Sequence, residues 1–331
     1  MSRRFRVSAR PLGAAMAALI LVVASVSVIA QAQTGATQGA RARRTPWGHP
    51  NLQGVWTSDS VMGVPFERPR TEPLTAQETA NQEKLRALEK QLDPSGSNVV
   101  WNERALTRKI PRPASLVVDP PDGRVPVTPE VRAIINDFAR DVRRYGIGIS
   151  SHEDLDLWDR CITKGFPTVM MPLGYSNMYQ IFQTPDYVAI FYEVIHDVRI
   201  IPLDGRPHAN QQLRQWWGDS RGRWEGDTLV VDMTNFSDKT FGTQQPTGGF
   251  RGGGKDMHIV ERFRLNDDDF LEYRATITDP RAFTRPWTMA VPLARDDEHT
   301  VLEYACHEGN YGLMNILTAA HSKYKENEKT K

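Results

Sequence analysis

The chain has 331 residues, 40% of them hydrophobic and 24% charged. Its 41 lysines and arginines against 40 aspartates and glutamates leave a formal net charge of +1, so no bulk field attracts nucleic acid. The length allows one large domain or two.

The N-terminus reads as an export signal. Arg3, Arg4, Arg6 and Arg10 precede an apolar run from about Ala14 to Ala30, and Ala30-Gln31-Ala32 offers a cleavage site, so residues 1–32 are expected to be removed. Ser2-Arg3-Arg4-Phe5 is similar to a twin-arginine signal, but Phe5 stands one place early; the general secretory route is favoured. The alternative is an uncleaved anchor, since the run approaches spanning length. No later stretch is long and apolar enough for a stable membrane span, so a periplasmic or secreted protein is expected.

Residues 33–44 are rich in Gln, Gly, Ala and Arg and read as a disordered leader. Residues 45–160 read as an extended and helical wrap. It opens near Gly54-Val55-Trp56, a G-x-W triplet of the kind that begins lipocalin-like barrels. Thr75 and Glu78 form a capping box for a helix to about Leu92. Thr128 caps a second helix that has Pro129 at its first position and Val131, Ile134, Ile135, Phe138 and Val142 along one stripe. A short helix is expected over Asp154 to Cys161.

From Tyr179 the hydrophobic period becomes two. Strands are expected at 179–183, 187–201, 214–218, 228–236, 257–265, 270–278, 286–293 and 300–307. Glu225-Gly226-Asp227 and Asn266 to Asp269 read as hairpin corners. Consecutive hairpins without intervening helices imply antiparallel pairing. Residues 161–322 are therefore expected to form an antiparallel lipocalin-like barrel, or a sandwich, in a mainly β protein, followed by a charged tail at 323–331. The glycine-rich loop from Ser237 to Asp256 is a candidate lid.

Two cysteines in an exported chain point to a Cys161–Cys306 disulfide, with a metal site or free thiols as alternatives. Adjacent Cys306 and His307 would face opposite sides of a strand and chelate poorly. Neither C-x-x-C nor H-E-x-x-H spacing occurs, so no metal or cofactor is expected; haem or metal binding would have to rest on His196, His258 and His307. There is no G-x-S-x-G elbow and no dinucleotide fingerprint.

Several strand-like runs hold single ionisable residues on apolar faces. In 187–201, His196 shares a face with Val188, Ile190, Tyr192, Val194, Val198 and Ile200, while Glu193, Asp197 and Arg199 lie opposite. In 257–265, Glu261 interrupts Met257, Ile259, Phe263 and Leu265. In 300–307, Glu303 shares a face with His307. Burial raises a carboxyl pKa and lowers that of an imidazole, which suits both to proton transfer near neutral pH. Glu261 or Glu303 is thus the candidate acid, His196 or His307 the candidate base, and Tyr273 or Tyr304 the hydrogen-bond donor. Tyr192, Arg199, His258, Arg262 and Trp287 are candidate ligand-lining residues. The competing reading is static pairing, with Arg160, Arg199 or Arg262 satisfying the carboxylates. His208 reads as part of a surface turn, and Trp216, Trp217 and Trp224 as hairpin packing.

Four blocks carry a resemblance: Asp159-Arg160-Cys161, residues 201–208, Gly222 to Asp232, and Glu303 to Tyr311. Through them the chain resembles a family of exported, largely uncharacterised bacterial β-rich proteins. The resemblance implies an exported β-rich fold and carries no reaction. The functional expectation is an enzyme acting by acid/base chemistry, of lyase, isomerase, cyclase or hydrolase type, on a small, mostly apolar molecule held in the barrel. The alternative is a periplasmic carrier of such a molecule without catalysis.

Overall fold

The computed structural model describes residues 43–62, 64–68, 80, 110–111, 113–145, 149, 151–172, 175–240, 253–266 and 270–329. The expected 75–92 helix lies outside them except for Ala80, as do most of the signal, leader and lid segments. The described residues from Arg44 onward form one compact unit.

Among the described residues, ten strands build one sheet. They are β1 (Gly54–Thr57), β2 (Val117–Asp119), β3 (Met178–Gln183), β4 (Tyr187–Tyr192), β5 (Asp197–Pro202), β6 (Asp219–Glu225), β7 (Thr228–Thr234), β8 (His258–Leu265), β9 (Phe270–Thr278) and β10 (Trp287–Arg295). Every pairing is antiparallel. The order β5-β4-β3-β1-β10-β9-β8-β7-β6 curls into a nearly closed barrel, with β2 added on β10. The mainly β, antiparallel barrel expected from the alternation is therefore present. Its sheet includes β1 and β2, which precede residue 161.

β5 and β6 face each other without ladder pairing. Side chains close this seam instead. A Cβ on Gly222 of β6 would stand 2.6 Å from Leu203 Cδ2 and 2.7 Å from Ile201 Cγ2. Only a residue without a side chain lets the two edges approach this closely.

The G-x-W triplet is β1. Trp56 is fully buried, donates its indole N–H to the Leu52 carbonyl at 2.8 Å, and lies under Arg295 at 4.1 Å. The alternating faces of β7 to β10 deliver Leu229, Val231, Met233, Ile259, Glu261, Phe263, Leu271, Tyr273, Ala275, Ile277, Trp287, Met289, Val291 and Leu293 to the core, all fully enclosed. Each large apolar side chain so buried contributes about 1.5–3 kcal/mol.

Several expectations are corrected. The run 187–201 is a hairpin rather than one strand. Tyr192 pairs with Asp197, and Glu193 to His196 make a four-residue turn with Ile195 and His196 in the left-handed region. The turn reverses the face assignment after it: Arg199 and Ile201 point inward, while Val198 and Ile200 stand exposed. Residues 214–218 form a turn with one parallel bridge, Gln215 to Phe236. Residues 300–307 are not a strand but a chain of turns leading into a helix, Tyr311–Lys329, so the charged tail is helical to Lys329. The helix expected over 154–161 is a single 3-10 turn at His152–Asp154 followed by turns. The expected second helix is present as Pro129–Tyr145, with Thr128 Oγ1 accepting from the Val131 N–H. Val131 is buried and Ile135 packs on the core, but Ile134 is exposed. The corner at Glu225 to Asp227 is a two-residue turn through Gly226, whose φ is +57°.

Candidate functional site

Among the described residues several places bring ionisable groups together, and three of them lie in the barrel interior, on its outer face and at a cleft. The first is the barrel interior. Arg199 of β5 reaches across β6 and β7 to Glu261 of β8, with Nη1 2.5 Å from Oε2 and 3.1 Å from Met233 Sδ. Tyr273 of β9 donates to the other carboxylate oxygen at 2.8 Å. The guanidinium lies 4.7 Å from the Phe166 ring and 5.8 Å from that of Tyr192. Burial opposes the Arg199 charge, but Glu261 outweighs it and holds the guanidinium above its ordinary value. Burial pushes the Tyr192 and Tyr273 phenols up. Glu261, Tyr273, Tyr192 and Trp287 are sealed from solvent, and Trp287 packs edge-on against Phe66 and Phe283. The static pairing of Glu261 with an arginine is what the fold contains. Arg199 ties the free edge of β5 to the far wall, where backbone pairing is missing.

The second place is the outer face of β6, β7 and β8. His208 lies between two carboxylates, with Nδ1 2.7 Å from Asp219 and Nε2 2.8 Å from Asp232. Both contacts are hydrogen bonds only if the ring carries both protons. His258 Nε2 meets the other Asp232 oxygen at 2.8 Å, and Arg221 meets Asp219 at 2.7 Å. Partial burial works against both aspartates, yet the Ala209 N–H, His208 and Arg221 at Asp219, and His258 and His208 at Asp232, hold their carboxyls below the usual range. His208, expected in a surface turn, is thus the middle of a chain of five side chains. The sequence signal was the two-residue spacing of outward positions on β7 and β8, which sets Asp232 beside His258.

The third place is a cleft of about 530 Å³ outside the barrel. The Cys161–Cys306 disulfide, expected from the cysteine count, is formed and joins residues 145 apart. It pins the 300–310 turns against the 156–161 turns, and Cys306 lines the cleft. Three rings form the wall. Tyr175 stacks on Tyr304 at 6.3 Å and 13°, and Trp158 tilts against Tyr175 at 5.7 Å. The Trp158 indole N–H donates to the Tyr304 hydroxyl at 2.7 Å. Leu313 and Ile316 supply the apolar floor from the C-terminal helix, while Asp159 and Glu303 supply charge. Asn310 donates to the Asp159 carbonyl and fastens the helix start. The Lys164 ammonium sits 3.3 Å above the Trp158 ring. Burial draws that ammonium down to about 8 against the pull of Asp156 and Asp159. Burial, and then repulsion from Asp156, raises the Asp159 carboxyl.

The expected acid/base pairs are not assembled. His196 belongs to the β4–β5 turn, is exposed, and bonds the Tyr304 carbonyl through Nδ1 at 2.7 Å rather than meeting Glu261. Glu303 lines the cleft, whereas His307 stands on the surface. Arg262 points outward and pairs with Glu225 at 2.8 Å. Of the candidate ligand-lining residues, Tyr192, Arg199 and Trp287 are interior, and His258 and Arg262 are on the outer face. Trp158, Asp159, Tyr175 and the start of the last helix were missed as a site, because only the disulfide and the 296–307 segment bring them together. Trp217 packs inward on Tyr192 and Phe166, and Trp224 stacks on His49, so both serve packing as expected. Among the described residues, no group of three or more His, Cys, Asp or Glu side chains is placed to hold a metal. None of their helices is long and apolar enough to cross a membrane.

No family model and no curated protein matches the chain. Among solved structures it is similar to a secretary abundant heat soluble (SAHS) protein from Ramazzottius varieornatus, at 13% identity and a TM-score of 0.25, over 43% of this chain and 87% of that one. The barrel assignment rests on the strand pairing described above.

Proposed function

We propose that this is an exported binding protein that holds a small, largely apolar organic molecule without transforming it. The observation that carries this reading is the aromatic-walled cleft of about 530 Å³, whose volume lies in the range of small-molecule sites. Its walls are braced by a disulfide, which keeps the site preformed and lowers the ordering cost of binding. The acid/base expectation gains nothing from Glu261, whose two oxygens are already bonded.

Native mass spectrometry on non-reduced protein exported to a bacterial periplasm tests the reading. A retained organic molecule that is lost from a Tyr175→Ala, Leu313→Ser double variant is the expected result. A molecule retained equally by that variant would place the cargo elsewhere and refute the cleft.

A further inference from the structure

We infer that the cleft selects an organic cation, an apolar body bearing a substituted ammonium or similar positive group; this rests on the binding reading above. Three aromatic faces with two carboxylates around one apolar floor are the chemistry that recognises such ions. Aromatic faces carry negative potential and attract cations within about 6 Å of the ring centre. Tyr175 and Tyr304 are stacked nearly parallel, and Trp158 closes the corner. Among the described residues no basic side chain lines the cleft, while Asp159 and Glu303 do.

The protein supplies its own demonstration of the preference. Lys164 places its ammonium on the Trp158 face at 3.3 Å instead of in solvent. That ammonium faces two carboxylates, Asp156 and Asp159, and Glu303 adds a further carboxylate to the cleft wall. A ligand cation would find a second aromatic face, Tyr175, which is 48% exposed and available. Leu313 and Ile316 would cover its apolar part. A carboxylate-bearing ligand of the same shape would meet Glu303 and be rejected.

The test uses the full non-reduced protein and three benzyl probes: benzyltrimethylammonium, its neutral carbon isostere neopentylbenzene, and the anion phenylacetate. Binding is followed by ligand-observed NMR titration in wild type, Glu303→Gln and Tyr175→Leu. Both substitutions lie at solvent-accessible positions and spare the core. The expected result is that the cation binds, phenylacetate does not, and each variant weakens the cation roughly fivefold. Glu303→Gln should leave the neutral isostere unchanged. Neutral and cationic probes binding alike, or a cation indifferent to Glu303→Gln, would overturn the charge preference and leave the binding cleft standing. No binding by any of the three probes would overturn both.

Discussion

The Arg199–Glu261 pair offers the sharpest test of how the barrel is held shut. Glu261→Gln keeps shape and an oxygen for the Tyr273 hydroxyl but removes the charge that balances Arg199. Two unit charges about 4 Å apart interact by about 4 kcal/mol at the effective dielectric that fits protein data. Removing one partner of a buried pair costs about 3–5 kcal/mol, because the other charge stays buried. Both side chains are at most 3% exposed, so little solvent screening reduces the figure. The expected loss in Glu261→Gln is therefore about 3–5 kcal/mol. Tyr273→Phe should cost about 1–3 kcal/mol, the price of one unbonded carboxylate oxygen. The double variant Arg199→Met, Glu261→Leu should recover most of the stability, since apolar replacement of a whole buried pair is often neutral. Urea unfolding followed by tryptophan fluorescence, with the disulfide intact, measures all four proteins; midpoints are comparable if the slopes agree. A loss below about 1 kcal/mol in Glu261→Gln, or a double variant less stable than Glu261→Gln, would refute the tie.

Other consequences follow from the same geometry. Reducing the disulfide, or Cys306→Ser, frees a loop of 145 residues and should cost about 4–5 kcal/mol on chain-entropy grounds; calorimetry checks this, and an unchanged melting temperature would contradict it. Gly222→Val should push Ile201 and Leu203 away and cost about 1–3 kcal/mol, with hydrogen exchange rising along β5 and β6 before β9 and β10. Asp219 and Asp232 have depressed folded pKa values, so their stabilisation is present above the unfolded carboxylate value of about 3.9 and fades as pH falls through and below it. An Asp232→Asn variant should accordingly flatten the acid limb of the stability curve. Lys164 behaves with the opposite limb. Its folded pKa of about 8 lies below the ordinary 10.5, so the unfolded state holds more protons between those values and stability should gain there as pH rises; Lys164→Met should remove that gain.

Legibility in the sequence depended on whether a local rule and the tertiary contacts agreed. β9 was bounded as Phe270–Thr278 because alternation and turn residues coincide at both its ends. The helix from Pro129 was readable for the same reason, with a capping threonine and a proline at the first turn. The β4–β5 turn was hidden. Glu193-Val194-Ile195-His196 contains no glycine, proline or asparagine, so the period of two runs on unbroken through it. The left-handed Ile195 and His196 are held by burial of Ile195 and by the bond from His196 to Tyr304. A four-residue turn moves every later side chain to the other face, which is why an unbroken period places Val198 with Val188, Ile190 and Tyr192 and sets Arg199 opposite them. The run 300–307 alternates as a strand would, yet among the described residues it has no partner strand in the sheet, and the disulfide holds it as turns.

By itself, the sequence determined an antiparallel β-rich protein, the helix at 129–145 and the pairing of its only two cysteines, because periodicity, caps and cysteine count are local or compositional quantities. The tertiary structure alone decided that Arg199 meets Glu261, that Asp219, His208, Asp232 and His258 form one chain, and that Trp158, Tyr175 and Tyr304 wall a cleft. Each of these joins residues far apart along the chain, and no local rule carries the strand register, the turn reversal or the crossing of the last segment that brings them within bonding distance.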